Sequence, residues 1–446
     1  MDKRVFKIGL ALLASLIAYF ASSIYLDYTY SILIAIVVLM ISLWTNEVLS
    51  LGIVSVFPLF LFPIFRVISF EQTVQNYFNP ILLLFIGGML IALAIEKSYL
   101  HEFISSKIIS IFPKTPRGIV FSLAITSAIL SAILSNTTVV LMLLPVALFV
   151  ADSIKLRVRT LLATAYGASI GGILTPIGTP PNIILLGFMK NFGLEGIGFV
   201  KWIILLSPLV IVMLIVVPFM LSYGLKNEKI KRIKSKKLNW NQKKLLLIVL
   251  ALIAVLLANS PIEPYYGGLG LSENIILFSF GILMFLPGFR YLKAEDLVRL
   301  PLNILLLFGA GFAIASAMLN TGLVELISNG LVGFADLPSI VVILIIAFTA
   351  VVLTELTSNT ALASIFIPTV YGLALKTGLE IPLFLLIPTI AASMGFMLPI
   401  ATPPNAIIFS SKAIKIKDMI KFGFITNLIS IALITLFAYL YWSILI

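Results

Sequence analysis

Cysteine, histidine and charge are scarce in this 446-residue sequence, which has no cysteine and one histidine, His101. The absence of cysteine excludes disulfides and cysteine-ligated metal, and a single histidine argues against a multi-histidine metal centre. We predict that His101 is a surface residue, because it lies near a charged loop. Charged residues form 11% of the chain, hydrophobic residues form 61%, and the mean hydropathy is +1.17. This composition indicates a polytopic membrane protein.

Eleven apolar runs approach or exceed the ~20 residues that a helix needs to cross a bilayer. They span 5–22, 30–43, 47–66, 80–96, 160–190, 199–224, 245–260, 271–287, 301–319, 382–411 and 422–443. If the N-terminus is cytoplasmic and the crossings alternate, all but four of the 30 basic residues lie inside and the C-terminus lies outside. This distribution follows the positive-inside rule. The net charge of +12 therefore indicates membrane topology and not nucleic-acid binding.

Some local features carry further predictions. Residues 225–244, which include KNEKIKRIKSKK, are interpreted as a cytosolic basic linker beside anionic lipid. We interpret the N-terminal apolar run as a retained first helix and not as a signal peptide, because it is long and fits the charge count. Tryptophans near predicted helix ends are interpreted as interfacial anchors, namely Trp44, Trp202 and Trp442. Two phenylalanines and four glycines are predicted to pack helices closely, namely Phe85, Phe308, Gly87, Gly88, Gly309 and Gly311.

Two apolar segments, 118–150 and 338–375, are too long for one crossing and short for two. Each has a polar tripeptide at its centre, Ser135-Asn136-Thr137 in the first and Ser358-Asn359-Thr360 in the second. A helical hairpin that enters the membrane partway and returns fits both features. Because non-helical backbone at that depth must be covered by protein or line a cavity, we expect both tips to line a site.

The two tips belong to an internal repeat. The tripeptides are 223 residues apart, and so are Pro145 and Pro368, the two copies of ILLLF, and the two copies of TPPN. An odd number of helix steps separates the copies, so the two units are inverted in the membrane. Inverted repeats with broken helices are typical of secondary transporters. We predict an all-α polytopic membrane protein with about eleven transmembrane helices and two re-entrant hairpins.

A second pair of breaks lies in helices 160–190 and 382–411, at TPIGTPPN (175–182) and LPIATPPN (398–405). A proline pair breaks a helix but fits the first turn of the half-helix that follows. Carbonyls before each break can then bind a cation, and N–H groups after it can bind an anion. Ser, Asn and Thr at the hairpin tips cap helices, and each Asn amide can serve both kinds of ligand.

None of the four breaks contains lysine or arginine. A divalent anion held there needs bound cations for charge balance, which predicts Na⁺ coupling through oxygen ligands. Proton coupling is the alternative, since Glu355 is the one acid deep in a hairpin. We favour a structural role for Glu355, because the matching position in the first repeat is Ala132. No nucleophile–base pair or acid dyad supports a membrane enzyme.

The paired tips, the paired TPPN breaks and the run TELTSNTALASIFIP (354–368) resemble the divalent anion/sodium symporter family over nearly the whole chain. Members of that family carry dicarboxylates, tricarboxylates or sulfate. The resemblance implies a homodimer with a fixed scaffold (1–97 and 245–320) and a mobile transport domain (98–224 and 338–446) that moves like an elevator. It further implies a multi-pass protein of the cell membrane that contacts lipid.

The family pattern, applied position by position, also implies ligands. One Na⁺ lies near Ser131, Ser135, Asn136 and Gly178, and a second lies near Thr354, Thr357, Asn359 and Ala401. The substrate meets Asn136, Thr137, Asn359 and Thr360, with Thr179, Pro180, Thr402 and Pro403 nearby. The intact tripeptide at both tips resembles C4-dicarboxylate carriers more than sulfate carriers. Anion exchange, citrate or sulfate transport and proton coupling through Glu355 stay open as alternatives, as does a channel.

Overall fold

The computed structural model describes residues 3–46, 48–225, 228–231, 237–262, 265–330, 333, 337–377 and 380–445. Across these ranges the chain is helical, and no strand forms beyond two isolated bridges. The all-helical fold that the sequence predicts is thereby confirmed. Much of the predicted basic linker, including 226, 227 and 232–236, lies outside the described residues.

Twelve helices precede the linker. They are α1 Lys3–Ser23, α2 Tyr28–Asn46, α3 Leu51–Val54, α4 Phe57–Ile64, α5 Phe70–Tyr77, α6 Ile81–Lys97, α7 Leu100–Ile111, α8 Pro116–Ser131, α9 Asn136–Val150, α10 Ile154–Gly172, α11 Pro180–Asn191 and α12 Phe199–Ser222.

Ten helices follow the linker within the part of the chain that the structure describes. They are α13 Trp240–Asn259, α14 Glu273–Leu283, α15 Leu302–Asn320, α16 Leu323–Gly330, α17 Ser339–Thr354, α18 Asn359–Thr377, α19 Ile381–Ala391, α20 Pro403–Ser410, α21 Ile416–Phe437 and α22 Ser443–Leu445. A 3₁₀ segment, Ala294–Arg299, precedes α15, and a π segment, Ala438–Trp442, joins α21 to α22.

Seven helices among the described residues are long and apolar enough to cross a membrane. They coincide with seven of the eleven predicted crossings. The other four, 47–66, 160–190, 271–287 and 382–411, contain shorter helices, because prolines and polar breaks divide them. The count of eleven crossings and the partial insertion of the two hairpins stay predictions.

The helix boundaries repeat with the spacing seen in the sequence. Hairpin helix α8 begins at Pro116 and α17 at Ser339, and both end 223 residues apart as well, at Ser131 and Thr354. The returning helices α9 and α18 begin at Asn136 and Asn359, and the half-helices α11 and α20 begin at Pro180 and Pro403. The same local sequence therefore starts and stops helices at the same places in both repeats.

Helix packing between the repeats is close, as predicted. The rings of Phe85 on α6 and Phe308 on α15, which are equivalent in the two repeats, meet edge to face with centroids 5.0 Å apart. A Cβ atom on Gly87 would collide with the backbone of Leu277 on α14, and one on Gly311 would lie 2.5 Å from Ser364 Oγ. Contact between equivalent phenylalanines places them near the axis that relates the repeats.

Two sequence predictions are wrong. The tryptophans interpreted as interfacial anchors are buried, with Trp44 at 2% exposure and both Trp202 and Trp442 at 0%. The indole of Trp202 donates to the Ile173 carbonyl at 2.9 Å, and that of Trp442 donates to the Leu205 carbonyl at 2.9 Å. His101, predicted to be a surface residue, is 8% exposed on α7. Helix-end positions do not specify burial when other helices pack over them.

Candidate functional site

The two hairpin tips share one hydrogen-bond arrangement. In the first tip, Ser135 caps α9 by accepting from the Thr138 N–H at 3.2 Å, and the Ser131 hydroxyl donates to Asn136 Oδ1. In the second, Ser358 accepts from the Ala361 N–H at 3.2 Å, and the Thr354 hydroxyl donates to Asn359 Oδ1 at 2.8 Å. The last residue of each entering helix thus holds the first residue of the returning helix.

This arrangement leaves the donors of each tip free. The side-chain NH₂ groups of Asn136 and Asn359 have no hydrogen-bond acceptor among the residues described, and the hydroxyls of Thr137 and Thr360 have no partner there either. Asn136, Thr137 and Asn359 are half-buried, while Thr360 is 9% exposed. Each tip therefore presents unused donors at a helix N-terminus, which is the chemistry that binds a carboxylate.

The two broken helices leave one carbonyl open in each repeat. Thr179 and Thr402, which precede the proline pairs, are extended, with φ/ψ of −145°/145° and −141°/148°. The prolines have no N–H, and the next amides turn elsewhere: Asn182 N–H donates to the Thr179 carbonyl and Asn405 N–H to Thr402 Oγ1, both at 3.2 Å. Within the described chain, the carbonyls just upstream, on Gly178 and Ala401, accept no backbone hydrogen bond.

Each open carbonyl lies on a residue packed against its own hairpin. A Cβ atom on Gly178 would lie 3.0 Å from the Ser131 carbonyl oxygen and would collide with that of Gly172. A Cβ atom on Gly172 would lie 2.7 Å from Asn136 Oδ1. In the second repeat a Cβ atom on Gly395 would lie 3.1 Å from Ala401 Cβ and 3.2 Å from Thr354 Cγ2.

Several predicted site residues are brought together, and others are not. Ser131, Asn136 and Gly178 cluster in the first repeat. Thr354, Asn359 and Ala401 cluster in the second. The Thr357 hydroxyl instead donates to the Leu353 carbonyl at 3.0 Å, and the Ser135 hydroxyl serves Thr138. Of the two predicted prolines, Pro180 is half-buried and Pro403 is exposed.

The elements that carry these groups pack across the repeats. Returning helix α9 packs against half-helix α20, and returning helix α18 packs against half-helix α11. Two surface cavities of about 300 and 340 Å³ lie elsewhere, one lined by α13 and α14 and the other by α5, α11 and α15. The hydrogen bonds and the free donors, and not a cavity, therefore mark the candidate site.

Glu355 holds the second break. Its Oε1 accepts the N–H groups of Phe396 and Met397 at 2.7 and 2.8 Å and the Asn427 amide at 2.7 Å, while Oε2 accepts the Leu398 N–H at 2.9 Å. The side chain is 5% exposed, with both oxygens in use. This contact has a counterpart in the first repeat, where the Thr175 hydroxyl donates to the Ala132 carbonyl at 2.5 Å. The geometry supports the structural role that the sequence favoured.

Sequence reasoning missed the side chains that close the remaining carbonyls of the breaks. Asn182 and Asn405 bridge two carbonyls each, and the Tyr166 hydroxyl donates to the Phe396 carbonyl at 3.0 Å as Trp202 does to Ile173. The repeated TPPN did signal the two asparagines. Tyr166 and Trp202 have no counterpart in the repeat, so periodicity could not identify them.

We expect Gly178→Ala to weaken Na⁺-dependent transport strongly and Ala401→Gly to weaken it little. The new methyl group at position 178 would meet two carbonyl oxygens, whereas position 401 already holds one. Overpacking of this kind costs about 1–3 kcal/mol, or roughly a 5- to 150-fold change in an equilibrium constant. Uptake measured across a range of Na⁺ concentrations checks this, and equal effects of the two substitutions contradict it.

The chain is similar to known transporters in sequence. The sequence model of the citrate transporter family (CitMHS) matches residues 36–387. The sodium-dependent dicarboxylate transporter SdcS of Staphylococcus saprophyticus is 32% identical, over 89% of this chain and 83% of that protein. The Staphylococcus aureus protein of the same name is 31% identical, with the same coverage.

The fold is similar to those of two solved transporters. The YdaH transporter of Alcanivorax borkumensis has a TM-score of 0.59 at 15% identity, covering 84% of this chain and 88% of its own. MtrF of Neisseria gonorrhoeae, described as illuminating a class of antimetabolite efflux pumps, has a TM-score of 0.62 at 14% identity, covering 93% and 96%. At this identity the likeness concerns the fold alone. On the match to the family model and the sequence relatives, the chain belongs to the divalent anion/sodium symporter family, and it is a membrane transporter and not an enzyme.

Proposed function

We propose that the protein is a secondary active transporter that couples the movement of Na⁺ to that of C4-dicarboxylates such as succinate, malate and fumarate. The observation that carries the proposal is the divided use of the tip asparagines. In both repeats Oδ1 faces the end of the entering helix, and the NH₂ group is left to donate. Two such tips suit a substrate with two carboxylates. The names of the Staphylococcus relatives support the same substrate class.

Charge balance supports Na⁺ coupling. The four breaks contain no lysine or arginine, so a bound dianion would face only amides, hydroxyls and helix N-termini. Burying an uncompensated dianion costs many kcal/mol, and bound cations offset that cost. Carbonyl, hydroxyl and amide oxygens are ligands that Na⁺ accepts, as other hard cations do.

We assign the first Na⁺ to Ser131, Ser135, Asn136 and Gly178, and the second to Thr354, Thr357, Asn359 and Ala401. The substrate carboxylates would meet Asn136, Thr137, Asn359 and Thr360, beside Thr179, Pro180, Thr402 and Pro403. The open carbonyls of Gly178 and Ala401 support the cation sites. Thr357 is the weakest member, because its hydroxyl already donates to Leu353.

The proposal includes the mechanism and the setting. Residues 1–97 and 245–320 would form a fixed scaffold, and 98–224 and 338–446 would move with the site as an elevator. The protein would be a homodimer in the cell membrane, with a cytoplasmic N-terminus and an external C-terminus. The cross-repeat packing of α9 on α20 and α18 on α11 supports a transport domain that moves as one body.

Uptake of radiolabelled succinate into proteoliposomes tests the proposal. We expect accumulation driven by an inward Na⁺ gradient, and no accumulation when choline replaces Na⁺ at any pH. Malate and fumarate should compete, whereas sulfate and aspartate should not. Uptake that persists in choline rejects Na⁺ coupling, and uptake that needs an anion loaded inside identifies an exchanger.

Citrate is the second candidate substrate, because the matching family model is described as a citrate transporter. The same assay separates the two. Competition by citrate stronger than that by malate would favour a tricarboxylate, and its absence would favour the C4 class.

A further inference from the structure

Two buried asparagines occupy the same place in the two repeats. Asn182 is the third residue of α11, Asn405 is the third residue of α20, and their exposures are 0% and 1%. Asn182 Nδ2 donates to the carbonyls of Gly172 and Thr175 at 3.2 and 2.8 Å. Each amide group therefore crosses a break and ties the start of the second half-helix to the end of the first.

The second repeat reproduces this bridge. Asn405 Nδ2 donates to the carbonyls of Gly395 and Leu398 at 3.2 and 3.1 Å. Gly395 and Leu398 lie 223 residues after Gly172 and Thr175, so the acceptors are equivalent as well as the donors. The side chains that surround them differ, since Thr175 carries a hydroxyl where the second repeat has Leu398. Only the bridge itself is common to both.

The bridge decides which carbonyls stay open. A helix that ends leaves up to four carbonyls without a partner. Here two are closed by the asparagine of each break, and a third is closed by Trp202 or Tyr166. The carbonyls of Gly178 and Ala401 accept no backbone hydrogen bond within the described ranges. The asparagines thus withdraw two competing oxygens and leave one in place.

The bridged carbonyls also touch the proposed cation ligands. The Gly172 oxygen packs directly on Gly178, and Gly172 itself packs on Asn136 Oδ1. Gly395 packs in the same way between Thr354 and Ala401. A shift of the bridged carbonyl would therefore move the open carbonyl relative to the hairpin tip. A buried asparagine that only satisfied a helix end would not need this repeated contact with the ligands.

We propose that Asn182 and Asn405 are positioning residues, Asn182 for the first Na⁺ site and Asn405 for the second. They do not touch the cation or the substrate; they fix the distance between the tip oxygen and the open carbonyl. This inference rests on the proposed Na⁺ coupling. It predicts that each asparagine sets Na⁺ affinity without setting the maximal rate.

The test compares Asn182→Ala and Asn405→Ala with the wild type in proteoliposomes at saturating succinate and varied Na⁺. We expect the Na⁺ concentration for half-maximal uptake to rise about tenfold in each variant, the scale of one or two lost hydrogen bonds. The maximal rate per folded protein at saturating Na⁺ should return to near the wild-type value. The isosteric Asn182→Asp, which places a carboxylate against two carbonyl oxygens, should be at least as impaired as the alanine variant.

Asn259→Ala is the matched control. Asn259 is a buried asparagine that bridges the end of α13 to Leu271, with amide and carbonyl both bonded at 2.9 Å, away from the breaks. It should lower the amount of folded protein without changing the Na⁺ dependence. Should the alanine variants at 182 and 405 not fold, the serine variants keep one donor and should show a smaller shift in the same direction.

The outcomes separate this inference from the proposed function. Wild-type uptake that does not depend on Na⁺ rejects the proposed function itself. Na⁺-dependent wild-type uptake, with an unchanged half-maximal Na⁺ concentration and only a reduced rate in the variants, overturns the positioning role and leaves a structural one. An Asn182→Asp variant that behaves as wild type overturns it too, because donation to the carbonyls would then be unnecessary.

Discussion

Replacing Asn136 or Asn359 with alanine is expected to raise the apparent KM for the dicarboxylate and for Na⁺ together. Each side chain directs Oδ1 towards the residue that ends its hairpin helix, Ser131 or Thr354, and keeps its NH₂ group free. One truncation therefore removes a cation ligand and an anion donor. A hydrogen bond to a charged group contributes about 1.5–3 kcal/mol, so each KM should rise roughly 10- to 150-fold.

Initial rates of succinate uptake, measured over a grid of succinate and Na⁺ concentrations, check this result. Asn320→Ala is a suitable control, because that amide donates to Ser316 at the end of α15 and lies outside the tips. A change in the succinate KM with an unchanged Na⁺ dependence contradicts the shared-ligand interpretation. The double variant should lose transport altogether, since both carboxylates would then lack an amide donor.

Replacing Glu355 with alanine is expected to unfold the second break. The substitution leaves the N–H groups of Phe396, Met397 and Leu398 and the amide of Asn427 without their acceptor. Each buried unsatisfied donor costs about 1–3 kcal/mol, so the variant should lose at least about 3 kcal/mol of stability. The thermal unfolding midpoint of purified protein measures this loss, with the exposed Glu71→Ala as the control.

Glu355→Gln separates the structural role from a proton-carrying one. Glutamine keeps one acceptor oxygen but turns an amide NH₂ towards backbone donors, so uptake should fall less than in the alanine variant. The dependence of uptake on pH should keep its wild-type shape, because no proton is carried by this residue. A flattened pH profile in a well-folded glutamine variant would identify Glu355 as a proton carrier and reject the structural interpretation.

Local sequence alone specifies the helix boundaries that matter for the site. Pro-Pro removes two N–H groups wherever it occurs, so TPPN starts a half-helix at Pro180 and again at Pro403. Ser-Asn-Thr caps a helix in both repeats for the same reason. These effects act over a few residues, and the family resemblance that rests on the same motifs is confirmed by the sequence relatives.

Burial and partners across the repeats were beyond the reach of sequence reasoning. Trp202 and Trp442 have the composition and position of interfacial anchors, yet α12 and the C-terminal segment bury them against carbonyls. His101 was misplaced for the same reason. A helix end is exposed or buried according to which other helix packs over it, and that contact joins residues far apart in the chain.

The sequence by itself determined that this is a helical membrane protein with two repeats, four breaks and no fixed positive charge at any of them. The tertiary structure decided which atoms at the breaks stay free. Glu355 and the two bridging asparagines consume donors and acceptors that lie 7 to 72 positions away in the chain. The open carbonyls of Gly178 and Ala401 are what this accounting leaves. Hydrogen bonds saturate, so the groups left for ligands are known only when every partner is in place.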